Sequence, residues 1–555
     1  MPVVKLYYED MERLIGASRE RIMGRLAMMG ADIGKRVEED HVDVEFFPDR
    51  PDLYSAEGVA RAMQGFLGIK TGLVEYPVHA GQVALTVEES VKAVRPVIGC
   101  AVVRGLHFSD EAIESLMGLQ EDLHWGLGRN RRKVAIGVHD ISRVRPPFRY
   151  LGADPSWRFV PLDFTEEMSM REILVRHPKG REYGHILDGC DRYPLIVDAD
   201  DHVLSFPPII NGELTSVTEE TEELFIDVTG MDGMVHKALN IVVTSLAERG
   251  GRIESVLVKR GNEGDFVSPD LQPSFWTVSA REANRLIGFD LTGQGLAECL
   301  ERMRFGAQAG VDGDPDRVRV QVPAYRADIM HAWDIFEDAA KAYGFDRLEA
   351  RLPSTVTVGQ AHPSEARRGE VREVMSGLGY LEVMPFTLTN EKVHFQWMRR
   401  EKSPEARRAV RVMHPISELH TILRTSILSS LLEIFAMNQH HPLPQRIFAA
   451  GDVVLERRTH MNLAAASIHS GANFSEIRSV VDVVLRELGL GAEIVPSADR
   501  AFMPGRAGDL MAAGKRIGCF GELHPLVLRS FGLEQPVVAL ELQWGGARKL
   551  LNKTT

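Results

Sequence analysis

The chain repeats itself. An Arg-Leu-Ile-Gly string stands at Arg13–Gly16 and again at Arg285–Gly288, and a similar succession follows each copy. In the first copy it runs RERIMGRLAMMG, then the alternating HVDVEFFP, then Arg50 and Asp52 in DRPD, then AEGVARAMQGFLG. The second runs GLAECLERMRFG, then VRVQVP, then Arg326 and Asp328 in YRAD, then FEDAAKAYGFD. Two such strings, roughly 270 to 280 residues apart, imply a duplicated small module with a different domain between its copies. Each copy reads helix, helix, strand, Arg-x-Asp, helix, with Gly-Phe closing the last helix as a C-cap. Ser279 and Glu282 have the spacing of a capping box and mark a helix start.

Single cores stop growing near roughly 250 to 300 residues, so 555 residues require several domains. The predicted fold class is α+β and multidomain. The N-terminal module occupies residues 1–80 and the second module 271–352. Residues 81–270 between them alternate β-rich runs (YPLIVDADDHVLSFPPII, LFIDVT) with helices such as MVHKALNIVVTSLAERGG. In that helix Val235, Leu239, Val242 and Leu246 keep helical spacing, and Gly250 and Gly251 stop it. A linker-like LPSTVTVGQAHPSEARRG leads into a last α+β block, residues 353–555.

No segment approaches the roughly 18 to 20 unbroken apolar residues of a membrane span, and the acidic N-terminus does not suit a signal peptide. A cytoplasmic protein with no membrane partner is expected. Cys100, Cys190, Cys299 and Cys519 lie far apart without a CxxC pair, which predicts neither disulfides nor zinc. A net charge of −13 confines any nucleic-acid contact to a local basic patch. The densest runs from 129 to 149: Arg129, Arg131, Arg132, Lys133, Arg143, Arg145 and Arg149 against Asp140. It would suit phosphate contacts or a solvated loop with internal ion pairs. His139 in HDIS and His414 in HPI lack metal-ligand spacing and are expected to be structural.

The acids of RADIMHAWDIFEDAAKAYGFD offer another pattern. Asp334, Glu337 and Asp338 share one helix face, while Trp333, Phe336, Ala340 and Tyr343 form another. Asp328 can fold back onto the helix start as a fourth oxygen donor. Carboxylates without His or Cys suit Mg²⁺ rather than zinc. The same acids also suit the helix macrodipole, with Glu337 pairing to Lys341.

Longer strings carry a family resemblance over essentially the whole chain. PAYRADIMHAWDIFEDAAKAYGFDRL, residues 323–348, resembles the magnesium-binding signature of phenylalanyl-tRNA synthetase β subunits. EFFPDRPDLYSAEGVARA resembles their opening domain. QEDLHWGLGRNRRKVAIGVHD, HPKGREYGHIL, LSFPPIINGELTSVT and LFIDVTG resemble their central domain in archaeal and eukaryotic members. HPISELHTILRTSILSSLLEIFAMN, RIFAAGDVV and FGELHPLVLRSFGL resemble their C-terminal domain.

The resemblance implies Mg²⁺ on Asp328, Asp334, Glu337 and Asp338, at a contact with an α subunit in an α₂β₂ assembly. Asp338 stands where Glu is common. It further implies a central domain that removes tyrosine from mischarged tRNA(Phe), and a class II synthetase-like antiparallel-sheet domain at the end. That last block has the Leu423–Ser426 LRTS string but no Gly-x-Gly-x-x-x-Arg run after it. Adenylation, with ATP and phenylalanine, is therefore expected in the α subunit, and the apolar helix of Leu428, Leu431, Leu432 and Phe435 in core or interface. Tyrosine is phenylalanine plus a hydroxyl, which a hydrophobic pocket rejects by only about a hundredfold, so a second, hydrolytic site is the usual remedy.

For that site the resemblance points to Asp227 and Thr229 in FIDVTG, Ser205 in LSFPP and Leu195 in YPLIV as an apolar wall. Strand alternation puts Asp227 and Thr229 on one face. A strand-end turn is the competing reading of the pair. Asn211 and Gly212 form a turn beside them, which equally suits an ordinary hairpin. The alternative function is a scaffold that docks tRNA without editing it. A free-standing DNA-binding protein built on the repeated module is the more remote reading.

Overall fold

The computed structural model describes residues 2–355 and 357–544, apart from the side chains at 35–37 and 262, and its contacts divide the chain into two units, Met1–Leu352 and Pro353–Thr555. Each Arg-Leu-Ile-Gly string ends a helix, Tyr8–Ile15 in the first copy and Ala280–Ile287 in the second. Gly16 and Gly288 take φ of +77° and +90°, and their N–H groups close onto the carbonyls of Glu12 and Asn284. The left-handed cap is the reason for glycine at both places.

Both copies then follow one path. A strand enters (Val3–Tyr7; Ser274–Ser279), the capped helix follows, and then a second helix (Arg19–Leu26; Gly293–Arg302). Two strands come next (Ala31–Val37 and His41–Phe46; Gly306–Ala309 and Arg317–Val322), and the last helix closes the module (Ala56–Phe66; Ala332–Tyr343). In each three-stranded sheet the third strand lies in the middle. Val42, Val44 and Phe46 are buried in one sheet, and Val318, Val320 and Val322 in the other.

The sequence pattern of helix, helix, strand is therefore incomplete by two strands per copy. The entering strands are short, and Ala31–Val37 carries Gly34 and mixed charges instead of alternation, so period-two signals are weak there. The Gly-Phe cap holds in the second copy, where Gly344 is the C-cap of Ala332–Tyr343, but not in the first. Gly65 and Phe66 belong to the last turn of their helix, and Gly68 (φ +71°) follows it. A Cβ at Gly65 would lie 2.5 Å from Arg304 Cδ and 2.6 Å from the Arg302 carbonyl, so this glycine lets the second copy approach the first. Arg302 and Arg304 donate to the carbonyls of Phe66 and Lys70 across that approach, at 2.9 and 2.6 Å.

Between the copies lies an eleven-stranded sheet. Glu223–Gly230 pairs antiparallel with Val97–Arg104 on one side and Val134–Asp140 on the other. Leu224, Ile226 and Val228 face the helix Met234–Glu248, whose Val235, Leu239, Val242 and Leu246 are all buried in the same cluster. The opposite face carries Phe225, Asp227 and Thr229. Farther along the sheet, Tyr193–Val197 and Val203–Phe206 pair antiparallel, and Ile210–Asn211 adds to the latter.

In the unit from Pro353, seven strands form a sheet that is antiparallel except where Leu381–Glu382 joins its edge. The helix Leu428–Met437 buries Leu428, Leu431, Leu432 and Phe435 in one of its cores. Arg424, in the LRTS string, is buried and donates to the carbonyls of Pro385, Phe386 and Asp452. Its guanidinium is thus committed to holding backbone.

Candidate functional site

Directly across the ladder from Asp227 stands Gly137, and His139 is the next residue on that face. The His139 imidazole reaches Asp227 Oδ2 through Nε2 at 2.8 Å and Thr215 Oγ1 through Nδ1 at 2.8 Å. Both His139 and Asp227 are buried. Asp227, Gly137 and Thr215 border a cavity of about 300 Å³, which Ser205 and Asn211 also line. That volume is at the small end for ligand pockets and accommodates an aromatic side chain. Among the described residues no protein hydrogen bond falls on Asp227 Oδ1, so an acceptor remains for a ligand.

The far wall comes from the helix Asp110–Trp125 and the turn after it. His124 accepts the Ile136 N–H at Nε2, 2.8 Å away. Burial pushes its imidazole down to about 4, which leaves the ring neutral near neutral pH. Arg129, Asn130 and Arg131 are three consecutive residues in the left-handed region. The turn points the Arg131 guanidinium inward, where it donates to the carbonyls of Pro208 and Ile209 and pairs with Glu121 at 2.6 Å. Burial alone would raise the Glu121 carboxyl, but His124 and Arg131 bring it down to about 2. Apolar Ile113, Met117 and Val138 also line the cavity, together with polar Gln120, Lys179 and Ser216.

Of the four residues predicted for this site, Asp227 and Ser205 border the cavity, with Ser205 Oγ 3.4 Å from Asn211 Oδ1. Thr229 and Leu195 do not. Thr229 shares Asp227's face, but the buried Arg95 covers it, donating to its hydroxyl at 3.0 Å and its carbonyl at 2.8 Å. Leu195 is buried in a separate apolar cluster with Leu151 and Phe206. Strand alternation finds the face but not what lies over it. His139, expected to be structural, is the residue that joins Asp227 to Thr215; the Gly-Val-His alternation in VAIGVHD was its only local signal.

The basic stretch separates in the same way. Arg131 is the internal anchor just described, Lys133 pairs with Asp232, Arg145 with Asp200, and Arg149 with Glu88 and Asp201. Arg129, Arg132 and Arg143 are exposed, and none of them makes an ion pair among the described residues.

The four acids of the second module are not gathered at one point. Asp338 is buried, 2.6 Å from Arg326 and 3.7 Å from Arg50. Asp328 does not fold back onto the helix start, because both its oxygens pair with Arg326. Asp334 closes a capping box, accepting the N–H groups of Met330 and His331 at 2.8 and 2.7 Å. Glu337 is exposed and pairs with Lys341 at 2.8 Å. No three of these acids bring ligand atoms within 4.8 Å of one another. Hard oxygens suit Mg²⁺, but as a closed cage of four ligands the set does not fit, since arginine already neutralises two members. Trp333, predicted on an apolar face, is instead exposed, as is Met330.

Comparison with known proteins bears on the whole chain. Residues 276–345 match the family model described as tRNA synthetase B5 domain, and residues 348–544 match that of the phenylalanyl tRNA synthetase beta chain CLM domain. The chain is 67% identical to the phenylalanine–tRNA ligase beta subunit of Methanothrix thermoacetophila, over 98% of this chain and 99% of that one. It is 54% identical to the corresponding protein of Methanosarcina barkeri, over 98% of each. Among solved structures it resembles an N-terminal fragment of the phenylalanyl-tRNA synthetase β-subunit from Pyrococcus horikoshii. That match has a TM-score of 0.59 and 39% identity, over 62% of this chain and 99% of the fragment.

Proposed function

The chain belongs to the family of phenylalanine–tRNA ligase β subunits, and from that premise we propose that its central cavity hydrolyses tyrosine from mischarged tRNA(Phe). The ligase role implies an α partner and tRNA. The α subunit would supply the ATP and phenylalanine sites in an α₂β₂ assembly. The LRTS arginine supports that division, because a guanidinium committed to three backbone carbonyls is not free for a nucleotide.

The observation that carries the editing reading is Asp227 Oδ1, an acceptor without a protein partner among the described residues, in a residue that borders a cavity of about 300 Å³. A tyrosine phenol donates to it. Phenylalanine would leave Oδ1 desolvated and without a partner, a penalty of about 1 to 3 kcal/mol. Ser205 and Asn211 add polar contacts, whereas Thr229 and Leu195 lie outside the lining. Water held by these groups and by the tRNA itself is the proposed nucleophile. The exposed Arg129 and Arg132 would meet phosphates of the acceptor end.

Mg²⁺ is proposed at the α-subunit contact, held through its own waters by Asp334 and Glu337, the acids outside the arginine cluster; it would supply charge at that contact. The exposed Met330 and Trp333 fit an interface there. Cytoplasmic location accords with there being no helix long and apolar enough to cross a membrane among the described residues.

The deciding experiment is deacylation of Tyr-tRNA(Phe) by the assembled enzyme with wild-type β and with Asp227→Ala. Loss of hydrolysis with phenylalanine charging retained is the expected result. Equal hydrolysis by both would remove Asp227 from the reaction, and none by the wild type would leave a docking scaffold.

A further inference from the structure

Three observations converge behind Asp227. The His139 imidazole, fully buried, joins Asp227 Oδ2 to Thr215 Oγ1 with two contacts of 2.8 Å. The lane between them is kept open by a missing side chain: a Cβ at Gly137 would lie 2.2 Å from Asp227 Oδ2 and 2.7 Å from His139 Nε2. Thr215 is itself fixed, 3.3 Å from the carbonyl of Gly212 in the turn that carries Asn211.

From this we infer that His139 is the positioning residue of the cavity, holding the Asp227 carboxylate with Oδ2 turned inward and Oδ1 presented to a phenolic hydroxyl. The inference rests on the editing reading of the same cavity. An ionised carboxylate only accepts, so Nε2 carries a proton and donates to it. Thr215 Oγ1 holds the other ring nitrogen, Nδ1, at 2.8 Å, so the imidazole is gripped at both ends. Without this link the carboxylate is free to rotate about its terminal torsion, which is broad and roughly two-fold. The acceptor for the phenol would then lose both its place and the hydrogen bond that His139 makes to the carboxylate. His139 does not border the cavity, so it acts through Asp227 without touching substrate.

The test uses the assembled enzyme carrying β His139→Leu, His139→Gln or Thr215→Val. His139→Gln retains a side-chain N–H near the place of Nε2, and Thr215→Val keeps shape while removing the hydroxyl. Hydrolysis of Tyr-tRNA(Phe) and Phe-tRNA(Phe) is measured across concentration, with phenylalanine charging as the control for assembly. In His139→Leu, kcat for Tyr-tRNA should fall about 10- to 100-fold, the loss of one charged hydrogen bond. KM should stay within a few-fold, because most of the tRNA is bound elsewhere. Preference for Tyr-tRNA over Phe-tRNA should fall with kcat, His139→Gln should recover most of it, and Thr215→Val should lie between. Wild-type kcat and preference in His139→Leu would overturn the inference and leave editing intact. So would equal losses in the Leu and Gln variants. Should the Leu variant fail to assemble, the Gln and Val variants decide by the same criteria. Absence of Tyr-tRNA hydrolysis by the wild type would overturn the editing reading, and this inference with it.

Discussion

Arg326 donates to Asp338 at 2.6 Å, and Arg50 of the other module reaches the same carboxylate at 3.7 Å. The Arg-x-Asp strings of the two copies therefore meet at one buried acid. Arg50 pairs with Asp52 at 2.8 Å, as Arg326 does with Asp328, so each copy retains its internal pair. Burial works against the charge on Arg326, but Asp338 and Asp328 outweigh it and hold its pKa well above the ordinary value. The duplicated string thus fastens one module to the other, and the central domain springs from both.

Breaking that junction should be costly. Arg326→Leu leaves Asp338 and Asp328 without their main partner in a dry site, which typically destabilises by about 3 to 5 kcal/mol. Urea unfolding of the full chain should show an earlier midpoint for the transition of the Met1–Leu352 unit and an unchanged one for the other unit. An unchanged first midpoint would mean that Asp338 is neutralised in another way.

Much of this was legible in the sequence, and the limits have physical causes. The Arg-Leu-Ile-Gly and Arg-x-Asp strings marked the two modules because a left-handed cap and a buried ion pair each demand particular residue types. The strand Ala31–Val37 escaped because Gly34 and its charges erase alternation. At the cavity, period two put Asp227 and Thr229 on one face correctly, yet Arg95, 134 positions away, covers only Thr229. Leu195 shows the same limit, being an apolar strand residue that packs into a neighbouring core. His139 has no spacing signature, since its partners Asp227 and Thr215 lie 88 and 76 positions away. Long-range packing decides each of these cases.

Gly137→Ala should separate fold from chemistry. The added Cβ would overlap Asp227 Oδ2 at 2.2 Å, while alanine suits a strand better than glycine does. Asp227 or His139 must move, so Tyr-tRNA hydrolysis should fall at least about tenfold, the equivalent of roughly 1.4 kcal/mol. Phenylalanine charging by the complex should remain. Unaltered hydrolysis would show that the carboxylate has a second workable position.

Acid should loosen the Met1–Leu352 unit in two stages. His124, held down to about 4 by burial, stays neutral in the fold while an unfolded chain takes up its proton near 6.5. Its contribution is therefore complete above pH 6.5 and is lost as pH falls towards 4, on the order of 3 kcal/mol. Burial tends to raise Asp52, but Arg50 brings it down to about 2, so its share is present above about 4 and disappears towards pH 2. Unfolding midpoints at pH 7.5, 5.5 and 4 should decline for the wild type. His124→Gln, whose amide oxygen can accept the Ile136 N–H, should be nearly flat across the first stage, and a slope equal to the wild type's would assign it to another group.

At the start of the helix Ala332–Tyr343, the two meanings of Asp334 can be told apart. As a cap its carboxylate accepts the N–H groups of Met330 and His331, and removing a cap costs about 0.5 to 2 kcal/mol. As a Mg²⁺-linked acid at the α-subunit contact it needs its negative charge. Asp334→Asn keeps an oxygen for the cap and discards the charge, whereas Asp334→Ala discards both. If charge is what matters, both variants should weaken α–β association about tenfold in Mg²⁺, as should Glu337→Gln, while only Asp334→Ala lowers the unfolding midpoint of β alone. Chelation should reduce wild-type association to the level of the Asn variant. Sedimentation of mixed subunits with and without EDTA reads all four cases, and wild-type association by Asp334→Asn would leave the residue as a helix cap.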